Sequence, residues 1–321
     1  MTDQQTIFVE APARLHFGVL DLRGDLGRWF GGIGAAAPDP TLIVSVSPAE
    51  ALDAEGDEAE RALSYGRRFL DHFRSKRGAL IRVHRTLPAH AGLGSGTQLA
   101  LAVGRALAEL YGVSIDAATL SRAVGRGRRS AIGTWTFAHG GLVVEGGRHR
   151  DGDACGPLLA RLAFPPTWRC VLAVPNGPPS ISGPREDDAI AALPAPSQGE
   201  AEHVAHVVLM SLLPAVAEGD LAAFGAALTD IQEMNGRWFA GIQGGIFAPG
   251  LSQDVIRRMR EWGAPGVGQS SWGPAVYAIV DGDESARALA DDVRVVLGDA
   301  GQLYVGPFRT EGARVSRRPF A

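Results

Sequence analysis

The sequence is almost without lysine, since Lys76 is the one lysine among its 321 residues and the other basic side chains are arginines. A Walker A phosphate loop needs a lysine directly after its glycines, so that kind of nucleotide site is excluded. Any planar, two-pronged contact with a phosphate or carboxylate would have to come from arginine. Genomic base composition accounts for the bias itself, because the chain is also rich in alanine and glycine.

Cysteine, long apolar runs and net positive charge are scarce as well. Cys155 and Cys170 lack metal-site spacing and fit a reduced, cytoplasmic protein better than a disulfide framework. The sequence contains no run of about 18 apolar residues, and its first residues lack the pattern of a signal peptide, so we expect neither a membrane span nor a secretory leader. A net charge of −4 and a pI of about 6.1 disfavour a nucleic-acid partner.

Length and hydrophobic periodicity predict a two-domain α+β protein, because domains usually have about 100–200 residues and strands and helices mix in both halves. The predicted strands are 6–10, 13–20, 41–47, 79–86, 140–145, 168–174, 275–280 and 302–305. The predicted helices are 58–77, 97–111, 115–128, 203–218, 220–235, 254–262 and 285–297. We interpret residues 21–34 as a loop and residues 175–198, dense in Pro, Gly and Ser, as a linker or mobile loop.

The most informative segment is the glycine-rich stretch from Pro88 to Gln98, which lies between a predicted strand and a predicted helix. Its glycines permit positive φ and the close approach of a ligand to the backbone. The first N–H groups of the following helix have no partner within the helix, and the helix dipole places partial positive charge there. The pattern therefore predicts an anion cradle. A turn that merely caps the helix remains the alternative.

These residues resemble the second motif of the GHMP superfamily, whose first known members are galactokinase, homoserine kinase, mevalonate kinase and phosphomevalonate kinase. Residues 11–18 (APARLHFG) resemble its N-terminal motif, and residues 266–274 (GVGQSSWGP) stand in the place of its C-terminal one. The resemblance spans nearly the whole chain. It implies an N-terminal α+β domain, which we place at residues 1–166, and a ferredoxin-like domain at residues 167–321, with the ligand between them.

The sequence departs from the GHMP kinases where they carry a catalytic aspartate, because the matching residues 127–141 contain no carboxylate. The departures have a pattern of their own. The resemblance is to the β-ribofuranosylaminobenzene 5′-phosphate synthases, and it rests on residues 90–98, 129–134 with 137 and 140–141, 231–233 with 235–236, 243–245 and 268–274. That resemblance implies condensation of phosphoribosyl diphosphate with 4-aminobenzoate or 4-hydroxybenzoate, release of diphosphate and CO2, and a C-riboside for tetrahydromethanopterin biosynthesis. It implies Mg²⁺ as cofactor.

Several residues are candidates for the site. The catalytic candidates are Arg14, His16, His90, Arg129 and His139. The candidates for binding substrate or phosphate are Gly92, Leu93, Gly94, Ser95, Gly96, Thr97, Gln98, Arg126, Ser130, Thr134, Gln269, Ser270, Ser271 and Trp272. Trp135, Phe137 and Trp272 are candidates for contact with an aromatic substrate. Arg122 and Arg128 are alternatives within the arginine-rich stretch. The weak candidates for Mg²⁺ ligands are Glu233, Asp21 and Asp25. Each lone histidine and aromatic residue is also compatible with a structural role.

Two other functions stay open at this point, an ATP-dependent small-molecule kinase with an unusual or absent base and a non-catalytic ligand-binding protein of the same fold. The sequence distinguishes neither the two benzoates nor the oligomeric state, a homodimer included. The expected partners are small molecules, namely phosphoribosyl diphosphate and an aromatic acid, and we expect no nucleic acid and no membrane.

Overall fold

The computed structural model describes residues 5–152, 154–177 and 184–319. Within them the chain forms twelve strands: β1 (Gln5–Asp21), β2 (Arg28–Pro48), β3 (Asp53–Gly56), β4 (Ala79–Arg85), β5 (Leu142–Glu145), β6 (Arg148–His149), β7 (Leu158–Leu162), β8 (Trp168–Pro175), β9 (Gly266–Gln269), β10 (Val276–Asp281), β11 (Gly301–Pro307) and β12 (Arg314–Pro319). The same residues form ten α-helices: α1 (Ala59–His72), α2 (Ser95–Tyr111), α3 (Ala117–Ala123), α4 (Ile132–His139), α5 (Pro184–Ala191), α6 (Gln198–Val207), α7 (Leu213–Glu218), α8 (Leu221–Gln243), α9 (Leu251–Glu261) and α10 (Asp283–Leu297). A π-helical turn, Val208–Leu212, joins α6 to α7.

The first half is built on a sheet in the order β12-β1-β2-β4-β3, with β5 and β6 also paired to β2 and β7 paired to β5. Every second residue of β1 from Ile7 to Phe17 is buried, as expected for a strand with one face on a core. Helix α2 packs on this core through a face that includes Leu99, Val103 and Leu107. The sheet thus supports the glycine-rich segment between β4 and α2.

The second half is a four-stranded antiparallel sheet in the order β11-β8-β10-β9. Helices α6 to α9 lie between β8 and β9 in the chain, and α10 lies between β10 and β11, which is the ferredoxin-like βαββαβ arrangement. Both faces of β8 are covered: Cys170 and Leu172 face the large core, while Val171 and Ala173 pack with α9 and α10. The predicted α+β class with a ferredoxin-like second half is confirmed.

The last strand crosses between the two halves. Strand β12 pairs antiparallel with β1, so residues 314–319 join the sheet of the first half after β11 has joined that of the second. The boundary between residues 166 and 167 stays a prediction. None of the helices in the described part of the chain is both long and apolar enough to cross a membrane.

Several predicted elements differ from the structure. Most of the predicted loop at 21–34 is strand, because β2 already begins at Arg28 and pairs there with β1, β5 and β6. Pairing on both sides of a strand outweighs the low intrinsic strand preference of glycine. Helices α1 and α3 end earlier than predicted, at His72 and Ala123. The predicted linker at 175–198 contains α5, although residues 178–183 lie outside the described residues.

Candidate active site between the two halves

A cavity of about 820 Å³ is lined by residues from both halves of the chain. It has the size expected of a pocket for a small-molecule substrate or cofactor. The predicted site residues in its wall are Arg14, His16, His90, Gly92, Leu93, Gly94, Ser95, Gly96, Thr97, Arg126, Arg129, Ser130, Gln269, Ser271 and Trp272. Arg128, which the sequence left as an alternative, also lies in the wall.

The glycine-rich loop, residues 88–94, leads from β4 into the first turn of α2. Gly94 is the N-cap of α2 in the left-handed conformation, with φ 73°. As a glycine, this N-cap residue provides no side-chain cap, and the first turn of the helix contains no acidic residue. Because Ser95, Gly96 and Thr97 also line the cavity, the positive end of the α2 dipole is available to an anion there.

The loop is fixed to both halves of the chain at Gly92. The Gly92 carbonyl oxygen accepts hydrogen bonds from Arg14 Nη1 (2.5 Å) and from Ser270 Oγ (2.7 Å). Ser270 Oγ in turn accepts the His16 backbone N–H at 3.0 Å. The backbone of Gly92 has φ 75°, and a Cβ atom on it would overlap the Ser270 carbonyl oxygen. The three motifs identified in the sequence therefore meet at one point.

Burial sets the charge of the two β1 side chains in the cavity wall. Burial lowers the pKa of the Arg14 guanidinium to about 10, an effect that nearby Glu186 opposes and Arg129 reinforces, so Arg14 remains charged at neutral pH. Burial and, to a smaller extent, the charge of Arg14 together lower the pKa of His16 to about 3. His16 is therefore neutral at physiological pH and can serve as a hydrogen-bonding group there.

Further positive charge comes from the arginine loop, which we define as residues 125–131 between α3 and α4. The Arg126 guanidinium lies over the Tyr65 ring, with Cζ 4.9 Å from its centroid, and donates to the Tyr65 hydroxyl. Arg129 Nη1 forms an ion pair with Glu186 Oε2 at 2.7 Å. The exposed Arg122 on α3 lies outside the cavity wall. The loop thus places arginines in the cavity wall, with Arg126 close to Gly96 in the first turn of α2.

Glu186 on α5 links the arginine loop to the third motif. Its Oε1 accepts the indole N–H of Trp272 at 2.8 Å, while Oε2 pairs with Arg129. The Trp272 ring meets the Phe239 ring edge to face, with centroids 4.9 Å apart. Glu186 is not among the predicted site residues, because residues 175–198 have the composition of a linker or mobile loop and contain no motif that predicts a functional carboxylate.

Amide side chains hold the back of the cavity. Gln232 Oε1 accepts the Gln269 backbone N–H at 2.8 Å, and Gln269 Oε1 accepts the Ala248 N–H at 2.6 Å. Gln269 Nε2 donates to the Ser271 carbonyl oxygen at 2.9 Å. Asn235 Oδ1 accepts the Val19 N–H at 2.5 Å. These contacts explain why α8 carries polar residues on a face that points toward β1 and β9.

Four of the predicted residues that lie outside the cavity wall have polar partners elsewhere. Gln98 is buried and donates to the Gly133 carbonyl oxygen at 3.0 Å, and Ser270 holds Gly92 as described above. The Thr134 hydroxyl bonds to the Ser121 hydroxyl at 2.9 Å. Glu233 pairs with Arg260 at 3.1 Å.

The three aromatic candidates and His139 lie in different surroundings. Exposed His139 ends α4 and stacks on Trp135, with ring centroids 5.9 Å apart. The Trp135 indole N–H donates to the Gly156 carbonyl oxygen at 2.8 Å, and Phe137 is buried in the large core. Of the three aromatic residues considered for the wall, Trp272 is the one that lines the cavity.

The described side chains around the cavity offer few ligands for a resident metal ion. Among the described residues, no group of three or more His, Cys, Asp or Glu side chains could hold one. The acidic side chains in the described cavity wall are Glu58, paired with Arg61, and Glu186. Asp21 accepts the backbone N–H groups of Arg23 (2.6 Å) and Gly24 (3.2 Å). A metal ion bound in this cavity would therefore have to take most of its ligands from water and substrate oxygens, a mode of binding that Mg²⁺ often adopts.

Family comparisons agree with this architecture. The GHMP kinases N terminal domain family matches residues 59–141, and the GHMP kinases C terminal family matches residues 212–296. The chain is 35% identical to the β-ribofuranosylphenol 5′-phosphate synthase of Methanothermobacter thermautotrophicus, over 96% of this chain and 98% of that protein. It is 36% identical to the enzyme of the same name from Archaeoglobus fulgidus, over 88% of this chain and 91% of that protein.

Solved structures share the fold at lower identity. Homoserine kinase from Cytophaga hutchinsonii matches with a TM-score of 0.73 and 19% identity, over 98% of each chain. Mevalonate pyrophosphate decarboxylase from Streptococcus pyogenes matches with a TM-score of 0.70 and 14% identity, over 96% of this chain and 98% of that one. At such identities these matches concern the fold alone.

Proposed function

This chain belongs to the β-ribofuranosylphenol 5′-phosphate synthase family of the GHMP superfamily, and we propose that it condenses phosphoribosyl diphosphate with 4-hydroxybenzoate, releasing diphosphate and CO2. The curated relatives are named for a phenol product, which favours 4-hydroxybenzoate over 4-aminobenzoate. The product would be a C-riboside 5′-phosphate for tetrahydromethanopterin biosynthesis. The observation that carries the proposal is one cavity that joins an uncapped helix N-terminus, several arginines and an aromatic wall.

The charge of the donor requires the arginines. A single helix N-terminus contributes about 0.3–1 kcal/mol, or about 2 kcal/mol when partly buried. That is too little for a molecule with a monophosphate and a diphosphate. Each charge-assisted hydrogen bond adds roughly 1.5–3 kcal/mol. We therefore assign the donor phosphates to the glycine-rich loop together with Arg14, Arg126 and Arg129, which line the same cavity.

The chemistry needs positioning more than it needs a nucleophilic side chain. The bond between ribose C1 and the diphosphate oxygen breaks, and C1 gains oxocarbenium character. The benzoate ring carbon that carries the carboxylate attacks C1, and loss of CO2 then returns the electron pair to the ring. Arginines that stabilise the departing diphosphate, and walls that exclude water, would accelerate these steps. The absence of a carboxylate in residues 127–141 is compatible with this reaction.

The acceptor ring is assigned to Trp272 and Phe239, which meet edge to face in the cavity wall. Neutral His16 would hold a substrate oxygen as hydrogen-bond partner, since its lowered pKa keeps the imidazole uncharged and makes it a weak base at neutral pH. His90 also lies in the wall, with φ 54°. Glu58 or Glu186, the two carboxylates in the described cavity wall, would hold a Mg²⁺ ion, which would supply positive charge beside the diphosphate.

One assay tests the proposal. The purified protein is given Mg²⁺, phosphoribosyl diphosphate and carboxyl-labelled 4-hydroxybenzoate or 4-aminobenzoate, without ATP. We expect labelled CO2 and diphosphate in equal amounts, with 4-hydroxybenzoate as the better substrate. If a folded protein released neither from either benzoate, the synthase proposal would be wrong. ADP formation from ATP would then indicate a kinase, and ligand binding without turnover would indicate a binding protein.

A further inference from the structure

Glu145, at the end of β5, is a buried acidic residue directly behind the arginine loop. It is 1% exposed and lies outside the cavity wall. Both carboxylate oxygens have backbone partners. Oε1 accepts the Ala131 N–H at 3.2 Å, and Oε2 accepts the Gly147 N–H at 2.7 Å. The Gly156 backbone packs so tightly here that a Cβ atom on it would overlap Oε2.

The contact with Ala131 fixes one end of the arginine loop. Ala131 is the N-cap of α4, so the carboxylate also lies at the positive end of that helix dipole. The other end is held where the Arg126 N–H donates to the Ser121 carbonyl oxygen at 2.7 Å. Arg128 and Arg129 lie between these two anchors and line the cavity.

We propose that Glu145 is a positioning residue that holds Arg128 and Arg129 toward the cavity by accepting the Ala131 N–H, and that diphosphate binding depends on this contact. The diphosphate part of this inference rests on the proposed function. A carboxylate suits the role because it accepts two N–H donors at once, whereas the amide of glutamine has one acceptor oxygen. Leaving a buried N–H without its partner is unfavourable, so the loop would shift to find another.

Protonation of Glu145 makes its contact with the Ala131 N–H sensitive to pH. Burial raises its pKa to about 7, against the opposing effects of the Gly147 and Ala131 N–H groups and of the Arg28 charge. The neighbouring titratable group is the Cys155 thiol, whose pKa burial raises to about 11, so it stays protonated at neutral pH. A protonated carboxyl loses acceptor capacity, so we expect the loop to loosen as the pH falls below 7.

The test compares Glu145→Gln with Trp135→Phe, a matched control in the same neighbourhood. The control removes the indole N–H bond to the Gly156 carbonyl oxygen and keeps the aromatic ring. Hydrogen exchange of residues 126–131 reports on the loop, and calorimetric titration with inorganic diphosphate reports on binding. In Glu145→Gln we expect faster exchange in this segment and about tenfold weaker diphosphate binding. Both should stay near wild type in Trp135→Phe.

The two readouts separate this inference from the proposed function. Unchanged exchange in Glu145→Gln, or diphosphate binding equal to wild type, would overturn the positioning role. An equal loss in Trp135→Phe would also overturn it, because the effect would then reflect general destabilisation. If the wild-type protein bound no diphosphate, the donor assignment and the binding half of this inference would fail together, and exchange would still decide whether Glu145 holds the loop.

Discussion

The glycine-rich loop and the arginine loop lie in the same cavity wall, but they are held in different ways. The first is held at its carbonyl oxygens, where Gly92 accepts from the Arg14 and Ser270 side chains and Ala91 accepts the Ala275 N–H at 3.2 Å, and Gly92 has no room for a Cβ atom. The second is held by two carboxylates, since Glu145 accepts the Ala131 N–H and Glu186 pairs with Arg129. We therefore expect the first loop to be sensitive to added side-chain volume and the second to changes of charge.

The largest expected effect is steric. Gly92→Ala would combine a positive φ with overlap against the Ser270 carbonyl oxygen. We expect a loss of about 2–5 kcal/mol in the free energy of unfolding and loss of activity. Gly112→Ala is the control, because Gly112 has φ 70° with open space around it. It should cost about 1–2 kcal/mol. Denaturant unfolding measures both, and equal losses would contradict the role of close packing.

The second prediction compares the pH dependence of two buried groups, His16 in β1 near the glycine-rich loop and Glu145 in β5 behind the arginine loop. Folding lowers the pKa of His16, so the unfolded chain binds the extra proton between about pH 3 and 6.5, and the unfolding free energy rises with pH there. Folding raises the pKa of Glu145, so the folded chain binds the proton between about pH 4.5 and 7, and stability falls as pH rises through that window. At about 1.36 kcal/mol per pKa unit, the change over its whole window is roughly 5 kcal/mol for His16 and roughly 3 kcal/mol for Glu145.

Denaturant unfolding from pH 4.5 to 7.5 measures these slopes. Glu145→Gln should remove the contribution to the unfolding free energy that falls with pH, and His16→Asn should remove the one that rises with pH. If the unfolding free energy of each variant is subtracted from that of wild type, the two differences should therefore change with pH in opposite directions. Differences that change in the same direction would show that the two groups are not buried as the structure has them.

The third prediction concerns charge in the arginine loop. Arg129→Ala should weaken diphosphate binding roughly 10- to 100-fold, because a charge-assisted contact is lost. Arg122→Ala removes an exposed arginine outside the cavity wall and should leave binding near wild type. Isothermal titration with diphosphate compares them. Similar effects of both substitutions would mean that net charge, and not position, determines affinity.

The smallest expected effect is at the aromatic wall. Trp272→Phe removes the indole N–H bond to Glu186 and keeps a ring against Phe239. We expect the KM for the benzoate to rise roughly threefold, consistent with the loss of one hydrogen bond. Trp262→Phe, on the exposed end of α9, serves as control. If the KM for phosphoribosyl diphosphate rose instead, the Trp272 ring would contact phosphoribosyl diphosphate and not the benzoate.

Much of the fold could be predicted because local pattern and tertiary role agree. Buried residues alternate along β1, and apolar residues recur at helical spacing along α2, because both elements pack on the same core. Hydrophobic periodicity in the sequence therefore predicts both elements. Strand β2 between residues 28 and 34 was missed, because its glycines are held by neighbours on both sides. Helix α4 was missed because its apolar residues show no one-sided pattern. Strand β12 was missed because its residues are exposed and, among the described strands, pair with β1 alone.

The glycine-rich loop can be predicted from local sequence, since its glycines, the strand before it and the helix after it lie close together in the chain. The near absence of lysine likewise predicts that arginine carries the positive charge of the site. Local sequence does not show which arginines face the cavity, that Ser270 supports Gly92, or that Glu145 and Glu186 are partners of the arginine loop. Those contacts join residues that are distant in the chain, and hydrogen bonds and ion pairs of this kind depend on packing that no local pattern records.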